Sequence, residues 1–110
     1  MEPISIDDFK KVEITVGEIV SAERIEGSEK LLKLKVNFAE PEPRQVLSGI
    51  APYFEDIQAL VGKRYPFVTN LAPRSMMGLE SQAMILATGG DGETPFNLFE
   101  TNAPAGARAR

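Results

Sequence analysis

An all-β barrel carrying one short helix is the fold this chain predicts, on three observations. Leu32, Leu34, Val36 and Phe38 alternate with Lys33, Lys35 and Asn37, the period-two pattern of a strand with one buried face. Val12, Ile14 and Val16 alternate likewise, but after Gly17 the apolar set moves to Ile19 and the phase slips by one. A glycine at such a slip predicts a bulge that bends the strand, as small closed barrels require. Between two later apolar runs, Phe54, Ile57, Leu60 and Val61 fall at helical spacing.

The elements follow in order. Ser5 and Asp8 form a capping pair that predicts a helical turn over residues 6–11, anchored by Phe9. The bent first strand leads to a turn at Glu26-Gly27-Ser28-Glu29, and the alternating second strand follows. Glu40-Pro41-Glu42-Pro43 is a stiff connector, because proline fixes φ and restricts its predecessor. Gln45 to Ile50 predicts a third strand. Pro52 then opens the helix and Gly62 closes it. Tyr65 to Leu71 is a fourth strand, with Pro66 near its start where a missing donor is tolerated. Gln82 to Ala87 is a fifth, and Thr88-Gly89-Gly90-Asp91-Gly92 turns into a last strand around Phe96 to Phe99. Three strands, a helix and two more strands is the order of an OB-fold, a five-stranded Greek-key barrel that binds along one strand face and its flanking loops. The alternation marks Phe9, Phe38, Phe67, Phe96, Phe99 and Met84 as core, and the tail beyond residue 102 as frayed.

Composition narrows the function. At 110 residues the chain makes one domain. It has no Cys and no His, which removes thiol catalysis, thiolate metal sites and the commonest general base. No Asp-x-Asp-x-Asp-Gly loop offers a calcium site. Catalytic residues, metal ligands and cofactors are therefore not expected. No apolar run approaches the roughly 20 residues that span a bilayer, and no basic-then-apolar leader opens the chain, so a cytoplasmic protein without membrane contact is expected. Because the chain starts at Met1 and makes a whole domain, a free-standing protein is one expectation, and the end of a longer protein is the other. The net charge of −4 is unevenly spread: residues 1–29 carry −5, residues 30–75 carry +3 and residues 76–110 carry −2. A positive face on an acidic body is one reading, and an ordinary solvated surface is the other.

The segment from Asn70 to Ala87 is the most informative in the chain. It joins two apolar runs through an Arg, two Ser, two adjacent Met, a Pro and a Gly, groups suited to holding a ligand rather than to running a reaction. It resembles the signature of the tRNA-binding domain family, and three further blocks agree in order: Phe9 to Gly17, Ser28 to Leu34, and Leu47 to Ile50. That family includes stand-alone dimeric tRNA-binding proteins, the C-terminal appendage of methionyl-tRNA synthetases, the domain of cytokine-like synthetase cofactors, and CsaA-type export chaperones. The resemblance covers roughly residues 5–105 and implies the OB-fold, tRNA as partner, and a two-fold homodimer built with the flanking segments.

The candidate RNA contacts are Lys30, Lys33, Lys35, Ser48, Gly49, Asn70, Arg74, Ser75, Met76 and Ser81. Lysines on a strand face supply mobile charge to phosphate without selecting a base; a solubilising face is the plainer explanation. Lys30 matches the lysine of the family's Asp-Lys-Leu block, with Glu29 here in place of Asp. Ser48 and Gly49 let a backbone approach and offer a hydroxyl, or simply end a strand. Arg74, after Pro73, has a planar five-donor fork suited to clamping a phosphate or stacking on a base. The family often has Lys next to that arginine, whereas this chain has Ser75, which removes one charge. Asn70 and Ser81 either contact a nucleotide or satisfy the loop's own backbone; Met76 either lies on a base or fills a gap. Exposed aromatics are few in this reading, which favours a folded RNA recognised by shape and phosphates over a splayed single strand. The expected function is a non-catalytic tRNA-binding module, with a CsaA-like holder of unfolded polypeptide as the alternative, marked by an exposed apolar patch in the dimer.

Overall fold

The computed structural model describes residues 1–110. One helical turn, α1 (Ile6–Phe9), precedes ten strands: β1 (Ile14–Arg24), β2 (Leu32–Asn37), β3 (Arg44–Ser48), β4 (Arg64–Val68), β5 (Arg74–Met76), β6 (Leu79–Ser81), β7 (Met84–Ile85), β8 (Ala87–Thr88), β9 (Asn97–Leu98) and β10 (Arg108–Ala109). The main sheet runs β3-β2-β1-β4-β7 with antiparallel neighbours. Residues around β7 return to β3, so these five strands wrap into a nearly closed Greek-key barrel of the OB type. β5 and β6 form a separate hairpin inside the segment that joins the fourth and fifth barrel strands.

The core is the inward face of the alternation. Ile19, Leu32, Leu34, Val36, Val46 and Phe67 have no exposed surface, and Phe38 meets Phe67 edge to face at 5.2 Å between ring centres. The expected bulge lies three residues beyond Gly17: the β1–β2 register shifts between Ile19 and Ser21, which leaves Val20 exposed. Gly17 has a different task. A Cβ there would stand 2.4 Å from Val36 Cγ1 and 2.6 Å from Phe38 Cε1, so hydrogen is the only side chain that lets β2 close over β1.

Side chains close the barrel seam between β3 and β6–β7. The Gln82 N–H donates to the Gln45 carbonyl at 2.8 Å, and the Gln45 N–H donates to Gln82 Oε1 at 2.8 Å. The Leu47 N–H donates to the buried Ser81 Oγ at 2.9 Å, and that hydroxyl faces the Ala83 carbonyl at 3.0 Å. Backbone groups that a short strand would leave unpaired are thereby satisfied. Ser81→Ala should cost about 1–3 kcal/mol in denaturant unfolding, since the Leu47 N–H loses its acceptor in a dry seam; an unchanged midpoint would show that the hydroxyl is dispensable.

Arg44 holds the same region from the side. Its guanidinium pairs with both Glu40 oxygens at 2.9 and 2.8 Å, donates to the Thr69 carbonyl at 2.7 Å and the Gln82 carbonyl at 3.2 Å, and lies over the Phe38 ring. The hydrogen bond from Arg44 holds the Glu40 carboxyl below the ordinary glutamate range.

Several expectations change. The helix after Pro52 is two 3-10 turns, Ala51–Tyr53 and Ile57–Leu60, because Phe54 and Asp56 are extended and Asp56 caps the second turn through the Gln58 N–H. The helical spacing still places Leu60 in the core with Phe54 and Ile57 packed against it, but Val61 is exposed. Ser5 caps α1 as expected, while Asp8 pairs with Lys11 instead of reaching back. The tail is not frayed: β10 pairs with β1, and the Val16 N–H donates to the Ala107 carbonyl at 2.8 Å. It takes the stretch of β1 edge that β2 leaves free, since β2 begins its pairing only at Glu18. Phe9, Phe99 and Met84, expected in the core, are each at least 40 % exposed.

Candidate nucleic-acid interface

Two loops that are far apart in sequence meet at one end of the barrel. The β1–β2 loop turns at Gly27 (φ +85°), and the β5–β6 hairpin turns at Met77 and Gly78 (φ +50° and +76°). A Cβ on Gly27 would lie 3.6 Å from Met77 Cε, so the two tips stand in near contact. The first loop is shaped by Ser28, whose hydroxyl accepts from the Leu31 N–H at 3.1 Å and leaves Lys30 exposed. The Ala51 N–H donates to the Lys30 carbonyl at 3.0 Å, which brings the Ser48-Gly49 turn beside the same lysine.

The hairpin is an outgrowth that the apolar pattern does not announce, and its pairing sorts its side chains. Arg74 lies across from Ser81 and Met76 across from Leu79, all on the side facing β3; Ser75 lies across from Glu80 on the outer side. Leu47, Leu71, Ala72, Met76 and Ala83 line the narrow gap under the hairpin, and the exposed Arg74 borders it. Met76 is half-buried there and seats the hairpin on β3, while Met77 is the methionine that solvent reaches.

The ten candidates therefore separate. Lys30, Gly49, Arg74 and Ser75 are exposed on the loops at the open end. None of the ion pairs in the structure includes Lys30, Lys35 or Arg74, so these charges are free of carboxylate partners. Lys33 and Lys35 share the outer face of β2. Lys33 is held by Glu23 at 3.2 Å, and Lys35 donates to Gln45 Oε1 at 3.3 Å. A phosphate reaching Lys33 must displace a carboxylate, whereas at Lys35 it displaces only an amide oxygen. Ser48 lies opposite Leu32 and so shares the core-facing side rather than the lysine face.

Two candidates make hydrogen bonds within the fold, Ser81 from a buried position and Asn70 from an exposed one. Ser81 is 5 % exposed and its hydroxyl is spent in the seam. Asn70 accepts from the Glu13 N–H at 2.8 Å and donates to the Lys11 carbonyl at 2.6 Å, tying the start of the chain to the end of β4. Arg44, counted in the sequence as part of the positive middle, is likewise committed to Glu40 and two carbonyls. The local signal of that commitment is the i, i+4 spacing of Glu40 and Arg44 across two prolines.

Lys30 and Arg74, in no ion pair, stand on two adjoining loops that also carry Glu26, Glu29 and Glu80, and these cations can hold a polyanion by charge and hydrogen bonding. Residues 14–108 match the family described as "Putative tRNA binding domain", and the chain belongs to that family. It is 45 % identical over 105 residues to the methionine–tRNA ligase of Lactococcus lactis, covering 94 % of this chain and 16 % of that protein. The chain thus spans about a sixth of that curated relative. A crystal structure of a MetRS related protein from Pyrococcus horikoshii superposes with a TM-score of 0.90 at 35 % identity, covering all of both chains. The chaperone CsaA of Bacillus anthracis superposes with a TM-score of 0.84 at 20 % identity, over 99 % of this chain and all of that one, which is a likeness of fold.

Proposed function

We propose that this chain is a non-catalytic module that binds tRNA through the open end of the barrel, in the cytoplasm, either alone or as the C-terminal appendage of a methionyl-tRNA synthetase. The observation that carries this reading is the meeting of the Gly27 and Met77 loops, where Lys30 and Arg74 are exposed and in no ion pair, although Glu29 and Glu80 stand on the same two loops. Such charges contact phosphates without reading bases, so selectivity comes from the shape of the folded RNA.

A two-fold homodimer is part of the proposal. Ile6, Phe9 and Val12 are 65, 40 and 44 % exposed, and with Lys10 and the end of the chain, residues 108–110, they line an open cleft of about 460 Å³. An apolar face of this kind on a small domain is suited to a second copy. Two copies would set two cationic ends on one body.

The test is a map of backbone amide NMR shifts on adding total tRNA. Shifts should concentrate at residues 27–31, 48–50 and 73–78. Shifts confined to residues 4–12 and 108–110, or appearing only with an unfolded polypeptide, would contradict the proposal and favour a polypeptide-holding role.

A further inference from the structure

Beside the Lys30 loop the chain builds an aromatic surface that phosphate binding does not use. Tyr53, in the first 3-10 turn, stacks on Phe96 with ring centres 4.2 Å apart and planes 3° from parallel. Phe54 meets the Phe96 ring edge-on at 6.0 Å and fixes it. The Tyr53 hydroxyl donates to the Gly90 carbonyl at 3.2 Å, so the ring is pinned at both its face and its tip. Gly90 is required for this: with φ at +79°, a Cβ there would stand 2.7 Å from the Tyr53 oxygen. Tyr53 nevertheless remains 44 % exposed, because only one face of its ring is covered by Phe96. These rings, with Tyr65, Asn97, Leu98 and Glu100, line an open cleft of about 410 Å³, within the roughly 300–1,000 Å³ range of ligand sites.

We infer that this cleft holds one unpaired purine base of a bound RNA, stacked on the Tyr53–Phe96 pair. The inference deepens the nucleic-acid reading above and rests on it. A flat, pre-organised π surface costs little ordering on binding and accepts any flat ring, and purines offer the larger face. Asn97 and Glu100 supply acceptors for the amino and imino N–H groups that purine edges carry. A carboxylate at that position, 3.7 Å from Lys63, also disfavours a phosphate entering the cleft itself. The phosphate has a place outside: the Lys30 carbonyl accepts from Ala51, two residues before Tyr53, and Arg24 donates to the Phe54 carbonyl at 3.0 Å. The Lys30 loop and the turn that carries Tyr53 are thus joined through the backbone.

The experiment uses the full chain with an RNA hairpin bearing one unpaired 2-aminopurine in its loop, and a matched duplex in which that base is paired. The fluorescence of the loop base should be quenched by the wild type. Tyr53→Leu, which keeps an apolar cover on Phe96, should abolish the quenching and weaken binding of the loop RNA about tenfold, as expected for one lost stack. Its binding of the duplex should not change, and Tyr53→Phe should behave as the wild type. Quenching that persists in Tyr53→Leu, or equal binding of loop RNA by Tyr53→Leu and wild type, overturns the platform while leaving phosphate binding in place. Failure of the wild type to bind the loop RNA while it still binds total tRNA overturns the platform alone, and failure to bind total tRNA as well overturns both readings. Should Tyr53→Leu not fold, the aromatic NMR resonances of Tyr53 and Phe96 in the wild type decide: they shift on titration with 2-aminopurine riboside monophosphate, and unmoved resonances overturn the inference.

Discussion

Gly17→Ala is expected to lose about 3 kcal/mol of stability, a fall of roughly 10–15 °C in Tm for a domain of this size. The added methyl meets Val36 and Phe38, residues that are 0 and 4 % exposed and hold their rotamers in a filled core. Relief requires β2 to move off β1, which also disturbs the Phe38–Phe67 contact and the Arg44 guanidinium lying on Phe38. Arg44 donates to the carbonyls of Thr69 and Gln82, on either side of the hairpin, so the damage reaches the loop that carries Arg74. Gly49→Ala is the matching control, because a Cβ there meets nothing within 4 Å. It should melt within about 0.5 kcal/mol of wild type. A Gly17→Ala protein as stable as the control would show that close approach of β1 and β2 does not set the barrel.

The Lys30→Ala/Arg74→Ala double variant should lose about a hundredfold in tRNA affinity, on the basis of roughly 1.4 kcal/mol for each of two charge-assisted contacts. Its dependence on salt should be shallower by about two ion contacts. Both side chains are exposed and take part in no ion pair, so the melt should stay near that of wild type. A large fall in Tm would assign one of them to the fold, and unchanged affinity with an unchanged salt slope would move the RNA elsewhere on the surface. Lys33→Ala should have the smaller effect, since Glu23 already neutralises that lysine.

The barrel was legible wherever one face of a strand is buried. Leu32, Leu34 and Val36 alternate in the sequence and lie at 0 % exposure in the structure, because burial of a strand face leaves a period of two. Gly17 was legible as a special position but not in its role. The apolar set moves ahead of the bulge at Val20 because Gly17 and Ile19 take the core face while Val16 is buried on the other face beside the tail. The close approach comes from β2, which local sequence does not encode. The tail was misread for a related reason. Ala107 and Arg108 have no apolar pattern because β10 is held by backbone hydrogen bonds along a free edge. At the site, residue type identified the exposed cations, but only tertiary contacts separate Lys30 and Arg74 from Arg44 and show that Asn70 and Ser81 bond within the fold. The Tyr53–Phe96 pair joins positions 43 residues apart in the chain, through a turn that depends on Gly90, and no window of sequence contains it.

The most direct measurement is the affinity of the purified chain for total tRNA across a salt series, with a duplex RNA as competitor. Log affinity is predicted to fall linearly with log salt, with the duplex unable to displace tRNA at matched phosphate concentration. Absence of binding at low salt, or equal displacement by the duplex, would contradict a module that recognises folded tRNA.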